Sequence, residues 1–278
     1  MILEEYGLFR DHNNVKIILI TFNYSPDIGA CAFRALALVE ALAKKISTED
    51  ELHVITTHPH RYVSHKIVAK DIEIDGKIII HRIKVPSNQT GMIPQVFKFT
   101  VFAWNALKYC YRLKPDFIIG TTSRLMTGVL TWISSILVRS CYFIDLRDIF
   151  SETFSDLFTV KSSLFGKFSK SVFLFLEKRL FLNANGVSVV SEDFPDYFNS
   201  KGVDISKWSF FPNGVDREFL RIDLQYSIKN RGTKTLLYAG NIGSGQGLEL
   251  VVPEVSQKLG DAFRFQIIGD GGTRKLLE

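Results

Sequence analysis

The chain has 278 residues, 46% of them hydrophobic and 23% charged, with a formal net charge of +5. This composition supplies a real core and excludes disordered and low-complexity proteins, and the length suits one large domain or two modest ones. The three cysteines, Cys31, Cys110 and Cys141, form no CxxC pair, so neither a disulfide framework nor a structural zinc site is expected, as in a reducing cytoplasm.

Residues 1–14, MILEEYGLFRDHNN, read as an N-terminal extension. They carry acidic residues where an export signal needs basic ones and lack its apolar stretch. Lys16 to Tyr24, KIILITFNY, is an Ile-rich run suited to a buried parallel strand. After the turn SPDIGA, residues Ala35, Leu38, Val39, Leu42 and Ile46 give one apolar helical face, predicting a helix from Phe33 to Ile46. Glu51 to Thr57 is a second strand and completes a βαβ unit. Ile72 to Val85 holds two β-rich runs around Asp75-Gly76, a hairpin signal.

Further along, Ile93 to Leu113 reads as a helix, Asp116 to Thr122 as a strand, Leu125 to Val138 as a helix and Cys141 to Asp148 as a strand. A helix is predicted from Ser163 to Asn183, a strand from Gly186 to Ser191 and a short helix from Glu192 to Lys201. The pattern restarts near Trp208. Arg221 to Thr233 is a polar connector, and Thr235 to Gly240, Leu248 to Leu259 and Phe263 to Gly269 form a further strand, helix and strand. Alternating strands and helices predict α/β architecture with parallel sheets. The longest apolar run, Leu125 to Val138, is too short to span a bilayer.

Four strand ends carry candidate chemistry. In SPDIGACAFR, Gly29 and small neighbours open a helix N-terminus, which suits a phosphate, and Arg34 adds a cation; an ordinary capped turn is the plainer reading. In DLRDIFSET, an apolar strand ends in Asp145, Arg147, Asp148 and Glu152, which suits sugar hydroxyls or proton transfer, or a surface ion-pair cluster. In YAGNIGSGQGLEL, Gly240, Gly243, Gly245 and Gly247 lead into a helix, with Asn241 and Gln246 as amide donors to an anion; a flexible glycine loop is the alternative. IIGDGGTRK, with Gly269, Asp270 and Gly271, is a weaker turn of the same kind. His58 and His60, with His65 nearby, lack the company of a usual metal site, so a solvated loop is expected, with Arg61 facing an anionic acceptor. Two helices mix aromatics with cations: Phe97, Phe99, Phe102, Trp104, Tyr109 and Tyr111 with Lys98, Lys108, Arg112 and Lys114, and Phe165, Phe168, Phe173 and Phe175 with Lys167, Lys170, Lys178 and Arg179. A membrane interface and ordinary core packing explain them equally well.

Taken in order, SPDIGACAFR, DLRDIFSET, FPNGVD and YAGNIGSGQGLEL with IIGDG resemble glycosyltransferase family 4, from Lys16 almost to the last residue. Within it the GNxGxxQGL form resembles bacterial transferases of O-antigen, capsule and colanic-acid assembly, including those that transfer N-acetylfucosamine. The resemblance implies a GT-B fold of two Rossmann-like domains: an acceptor-side domain over 15–208 and the start of a donor domain over 209–278. It implies retaining transfer of a sugar from a UDP- or GDP-sugar, without a metal, to a lipid-linked or polysaccharide acceptor at the inner face of the cell membrane, and no nucleic-acid partner. By that resemblance Asp148 and Glu152 are catalytic; Gly29, Asn241, Gly243, Gln246, Gly269, Asp270 and Gly271 bind the nucleotide-sugar; Arg34, Arg61 and Arg147 serve the acceptor. Amides stand at 241 and 246 where many members carry Arg and Lys, and Arg147 stands where many carry His. The family's E-x7-E pair is not met before Glu278, so the second domain is expected to be cut short. A nucleotide-sugar epimerase of the same fold and an inactive remnant binding membrane or a partner are the alternatives.

Overall fold

The computed structural model describes residues 14–59, 67–86, 92–122, 125–149, 164–215, 220 and 234–278. The connector expected at 221–233 lies outside them. The chain divides into two compact units, one reaching to Gly214 and one running from Val215 to Glu278.

The first unit contains β1 (Lys16–Ile20), α1 (Ala30–Ala43), β2 (Glu51–Thr57), β3 (Ile72–Asp75), β4 (Ile78–Ile83), α2 (Met92–Leu113), β5 (Phe117–Thr122), α3 (Leu125–Val138), β6 (Cys141–Leu146), α4 (Leu164–Leu182), β7 (Gly186–Val189), α5 (Asp193–Asn199) and β8 (Trp208–Phe210). Its sheet has the order β3-β4-β2-β1-β5-β6-β7-β8. Neighbouring strands are parallel except β3, which turns back on β4 at Gly76, where φ is +58°. The chain leaves β1 on one side toward β2 and returns on the other side at β5. The carboxyl ends of β1 and β5 therefore form the topological switch point at which open α/β sheets receive ligands.

Alternation along β1 fixes how the sheet is covered. Ile17 and Leu19 join Val39 and Leu42 of α1 in one core cluster, while Ile18 and Ile20 join residues of α2, α3 and α4 in another. A strand buried on both faces needs an unbroken apolar run, and KIILI supplies it. Two glycines let α3 lie close: a Cβ on Gly120 would come within 2.1 Å of Thr131 Oγ1, and one on Gly128 within 2.7 Å of Leu180 Cδ2.

The predicted elements recur with small shifts at their ends. The first strand ends at Ile20 rather than Tyr24, and α1 begins at Ala30 rather than Phe33. Gly29 accepts the first helical hydrogen bonds, from the N–H groups of Ala32 at 2.9 Å and Phe33 at 3.1 Å. Two of the small residues expected in the turn, Ala30 and Ala32, are strong helix formers, and the segment makes the first helical turn instead. β8 pairs with β7, which carries the first unit past residue 208.

The second unit has β9 (Lys234–Ala239), a 3-10 turn at Ser244–Gln246, α6 (Leu248–Leu259) and β10 (Phe263–Ile268), with β9 and β10 paired in parallel. Ile242 and Leu248 are its buried large apolar side chains among the described residues.

One polar feature is buried inside the larger sheet. His53 Nδ1 on β2 lies 3.0 Å from His81 Nε2 on β4, His53 Nε2 lies 3.1 Å from Glu51 Oε2, and Tyr109 packs on the His81 ring at 4.6 Å between centroids. Burial, with His53 as a second positive neighbour, pushes His81 down to about 4. The unfolded chain, with an ordinary imidazole near 6.5, binds this proton first, so stability falls as pH drops from about 6.5 to about 4 and levels off below. The loss amounts to about 3 kcal/mol. Urea unfolding across that range should reveal the fall, and the His81→Phe variant should flatten it.

Candidate functional site

The described candidate residues of the first unit sit at the carboxyl edge of its sheet, at the start of α1 and just past β6. Asp145, on β6, is 3% exposed. Arg34 of α1 grips its carboxylate with two nitrogens: Nε donates at 2.9 Å to Oδ2 and Nη2 at 2.7 Å to Oδ1. Ser188 on β7 donates to the same Oδ1 at 2.7 Å. The remaining terminal nitrogen of Arg34 donates to the Pro212 carbonyl and to Asn213 Oδ1, both at 3.3 Å. The fork expected to face an acceptor is therefore turned inward: a bidentate, charge-assisted pair of this kind joins elements.

Past Leu146 the side chains behave differently. The Arg147 backbone N–H donates to Thr122 Oγ1 at 3.4 Å, and that hydroxyl donates to the Asp145 carbonyl at 3.1 Å. Arg147 Nε and Nη1 are buried without a hydrogen-bond partner. Asp148 reaches the surface, yet the protein crowding its carboxyl raises its pKa by desolvation, with the Arg147 charge opposing. A carboxyl held above its usual range is suited to exchange a proton with a hydroxyl. Gly29 caps α1, whose first turn carries no acidic residue and no side-chain cap, leaving open N–H groups at its start. Glu152 and Arg61 lie outside the described residues.

In the second unit, Asn241, Gly243 and Gln246 meet in one turn. Gln246 Oε1 accepts from Asn241 Nδ2 at 3.0 Å and from the Gly243 N–H at 3.1 Å. One face of each amide thus builds the turn. Gly247, at φ +58°, then directs the chain into α6. Gly269 and Gly271 have a packing reason to be glycine: a Cβ would lie 1.8 Å from the Gly240 carbonyl oxygen at the first and 2.1 Å from that of Ile242 at the second. Asp270 ties its own turn by accepting from the Gly271 N–H at 2.8 Å, and its carbonyl accepts from the Ile242 N–H at 2.9 Å. The two glycine turns, 269–271 and 240–243, are therefore interlocked.

His58 lies 3.0 Å from Asp71 Oδ1. Among the described residues no group of three or more His, Cys, Asp or Glu could hold a metal ion, and His60 and His65 fall outside them. Sequence reasoning missed Ser188, Asn213, Tyr238 and Thr273. Tyr238 Oη donates to the Asn241 carbonyl at 2.7 Å, and Thr273 Oγ1 to the Ile242 carbonyl at 3.0 Å. Asn213 had a signal in FPNGVD; Ser188 in GVSVVS gave none.

No family model matches the chain. It is 26% identical over 286 residues to WcaI of Escherichia coli (strain K12), which is assigned to colanic acid biosynthesis as a glycosyl transferase; the match takes in 95% of this chain and 68% of WcaI. The sucrose-phosphate synthase of Thermosynechococcus elongatus superposes with a TM-score of 0.62 at 16% identity, over 93% of this chain and 63% of that one. Anabaena HepE in complex with UDP superposes with a TM-score of 0.52 at 14% identity, over 95% and 64%. The chain thus spans about two thirds of the length of these relatives. The fold is the α/β fold of GT-B glycosyltransferases, and the chain is a homologue of a glycosyl transferase.

The Arg34–Asp145 pair is buried enough to test by substitution, its side chains being 15% and 4% exposed. Arg34→Met or Asp145→Asn, each leaving one partner uncompensated, should cost about 3–5 kcal/mol in urea unfolding. The double variant Arg34→Met/Asp145→Asn should be less destabilised than the sum of the singles, which a double-mutant cycle reads directly.

Proposed function

We propose that this chain acts in glycosyl transfer, moving a sugar with retention of configuration from a UDP- or GDP-sugar to a lipid-linked or polysaccharide acceptor during assembly of a cell-surface polysaccharide. The observation that carries this reading is the similarity to WcaI along 95% of the chain. The resemblance of the strand-end motifs to family 4 supplies the retention and the donor class.

In this reading the turn at Asn241–Gly247 and the start of α6 receive the diphosphate. Its charge grows as the bond to the anomeric carbon breaks, and pre-positioned N–H donors stabilise it without a metal. Gln246 presents its Nε2 donors, since its oxygen already fastens the turn. Asp148 accepts a hydrogen bond from a hydroxyl of the sugar or acceptor and takes up the proton that transfer releases, and its raised pKa favours that uptake. Gly29 keeps the start of α1 open to a close approach.

A peripheral place on the inner membrane face is part of the same proposal. No helix among the described residues is long and apolar enough to cross a membrane. Three neighbouring helices on one face of the large sheet nonetheless expose apolar side chains: Phe97, Trp104 and Tyr111 on α2, Ile136 on α3, and Phe175 on α4. Phe102, by contrast, is fully buried, with Phe99 and Tyr109 packed against the same core. The aromatics of α2 thus divide between core and surface. Lys108, Arg112, Lys178 and Arg179 are exposed on the same helices, as suits an anionic lipid surface.

Three measurements test these assignments. The donor should be consumed only when acceptor is present, whereas an epimerase would convert it alone; the Asn241→Ala/Gln246→Ala variant should bind UDP or GDP about 1–2 kcal/mol more weakly. Unchanged affinity would reject the diphosphate assignment. The chain should also bind anionic vesicles more tightly than neutral ones, losing the preference as salt rises, and Phe97→Ser/Trp104→Ser/Tyr111→Ser should abolish vesicle binding without unfolding the chain.

A further inference from the structure

Charged side chains withdrawn from water are ordinarily matched inside the protein. At the end of β6 the Asp145 carboxylate is matched, while the half-buried Arg147 keeps two buried nitrogens that are not. The Asp145 carboxylate has Arg34 and Ser188. Two residues on, Arg147 has Nε and Nη1 buried with no hydrogen-bond partner, and its sole bond to the protein among the described contacts is the backbone one to Thr122. Asp148 does not supply the missing partner: it acts on Arg147 through its charge, but no hydrogen bond or ion pair joins the two among the described contacts. The unmatched guanidinium therefore sits just past β6, beside the end of β5 at the switch point, where ligands of open sheets bind. Its two buried, unpaired nitrogens carry a desolvation cost, and a ligand that matched them would remove it.

We propose that Arg147 forms an oxyanion site on the acceptor side of the first unit, taking a phosphate or carboxylate carried by the acceptor. A guanidinium is the side chain suited to this, because its planar donors pair with the oxygens of either group in fixed geometry. Calling the ligand an acceptor rests on the transfer reading above; the charge of the ligand rests on Arg147 alone.

Thermal unfolding of the full chain at constant ionic strength tests the inference, with sodium phosphate, sodium glucuronate or UDP replacing sodium chloride, for the native chain and for Arg147→Met and Arg147→Lys. Phosphate or glucuronate should raise the native midpoint by several degrees, and the more effective of the two identifies the oxyanion. Arg147→Met should melt above the native chain in chloride, because two buried unpaired donors have been removed, and should respond to neither anion. Arg147→Lys should keep a reduced response. A shift by UDP should survive in Arg147→Met. Four results would overturn the inference: no response of the native chain to either anion, an equal response in Arg147→Met, an Arg147→Met chain that melts lower or does not fold, or a UDP response lost with Arg147. If UDP shifts no variant while the phosphate or glucuronate response still depends on Arg147, the transfer reading fails and the oxyanion site stands.

Discussion

The buried carboxylate of Asp145 organises the carboxyl edge of the larger sheet. It sits on β6, holds Arg34 of α1 in a two-pronged grip and accepts from Ser188 on β7, while the same guanidinium reaches Pro212 and Asn213 past β8. Four segments distant in sequence converge on one ion pair. A carboxylate 3% exposed is tolerated in such a place only when its charge and lone pairs are all engaged. That requirement sets the position of α1, and with it the Gly29 turn and the chain that leaves the sheet at Gly214. Because Arg34 is engaged in this way, the cation left for a ligand in DLRD is Arg147.

The smaller unit solves a similar problem with backbone. Its glycines are dictated by two turns that cross at van der Waals distance, Gly269 against the Gly240 carbonyl and Gly271 against that of Ile242. Tyr238 and Thr273 fasten the same carbonyl-rich loop from either side. A loop so tied is pre-ordered, and an anion bound there does not have to meet the entropy of ordering it. A flexible glycine loop is the alternative reading of this segment, and the contacts speak against it.

Much of the fold was legible because its signals are local. KIILI had to be a doubly covered strand, Asp75-Gly76 had to turn, and α3 and α6 were bounded by their own apolar runs. The start of α1 was misplaced because Ala30, Cys31 and Ala32 are compatible with both a tight turn and a helical turn, and only the long-range pull of Arg34 on Asp145, 111 residues apart, goes with the helical choice. The site was legible as a set of positions rather than as roles. DLRD names two carboxylates and a guanidinium, but which is matched depends on Ser188, Asn213 and Thr122, brought in by strand pairing that no spacing in the sequence records. The aromatic helix likewise reads as one class of residue until the sheet divides it into Phe102 within and Trp104 without.

The two units therefore differ in the kind of charge they are built to meet. The smaller one offers uncharged donors, backbone N–H groups and amides, in the described part of its turns; in the proposed reading these would hold the diphosphate through neutral hydrogen bonds. The larger one places a half-buried guanidinium with two unmatched nitrogens at its sheet edge, beside a carboxyl whose pKa is raised. An anion drawn to Arg147 would add a negative neighbour to Asp148 and offset the one charge that now lowers its pKa, so the carboxyl would rise further. Occupancy of the oxyanion site and the proton affinity of Asp148 are thus coupled through a single guanidinium: the carboxyl becomes the stronger proton acceptor when the site beside it is filled.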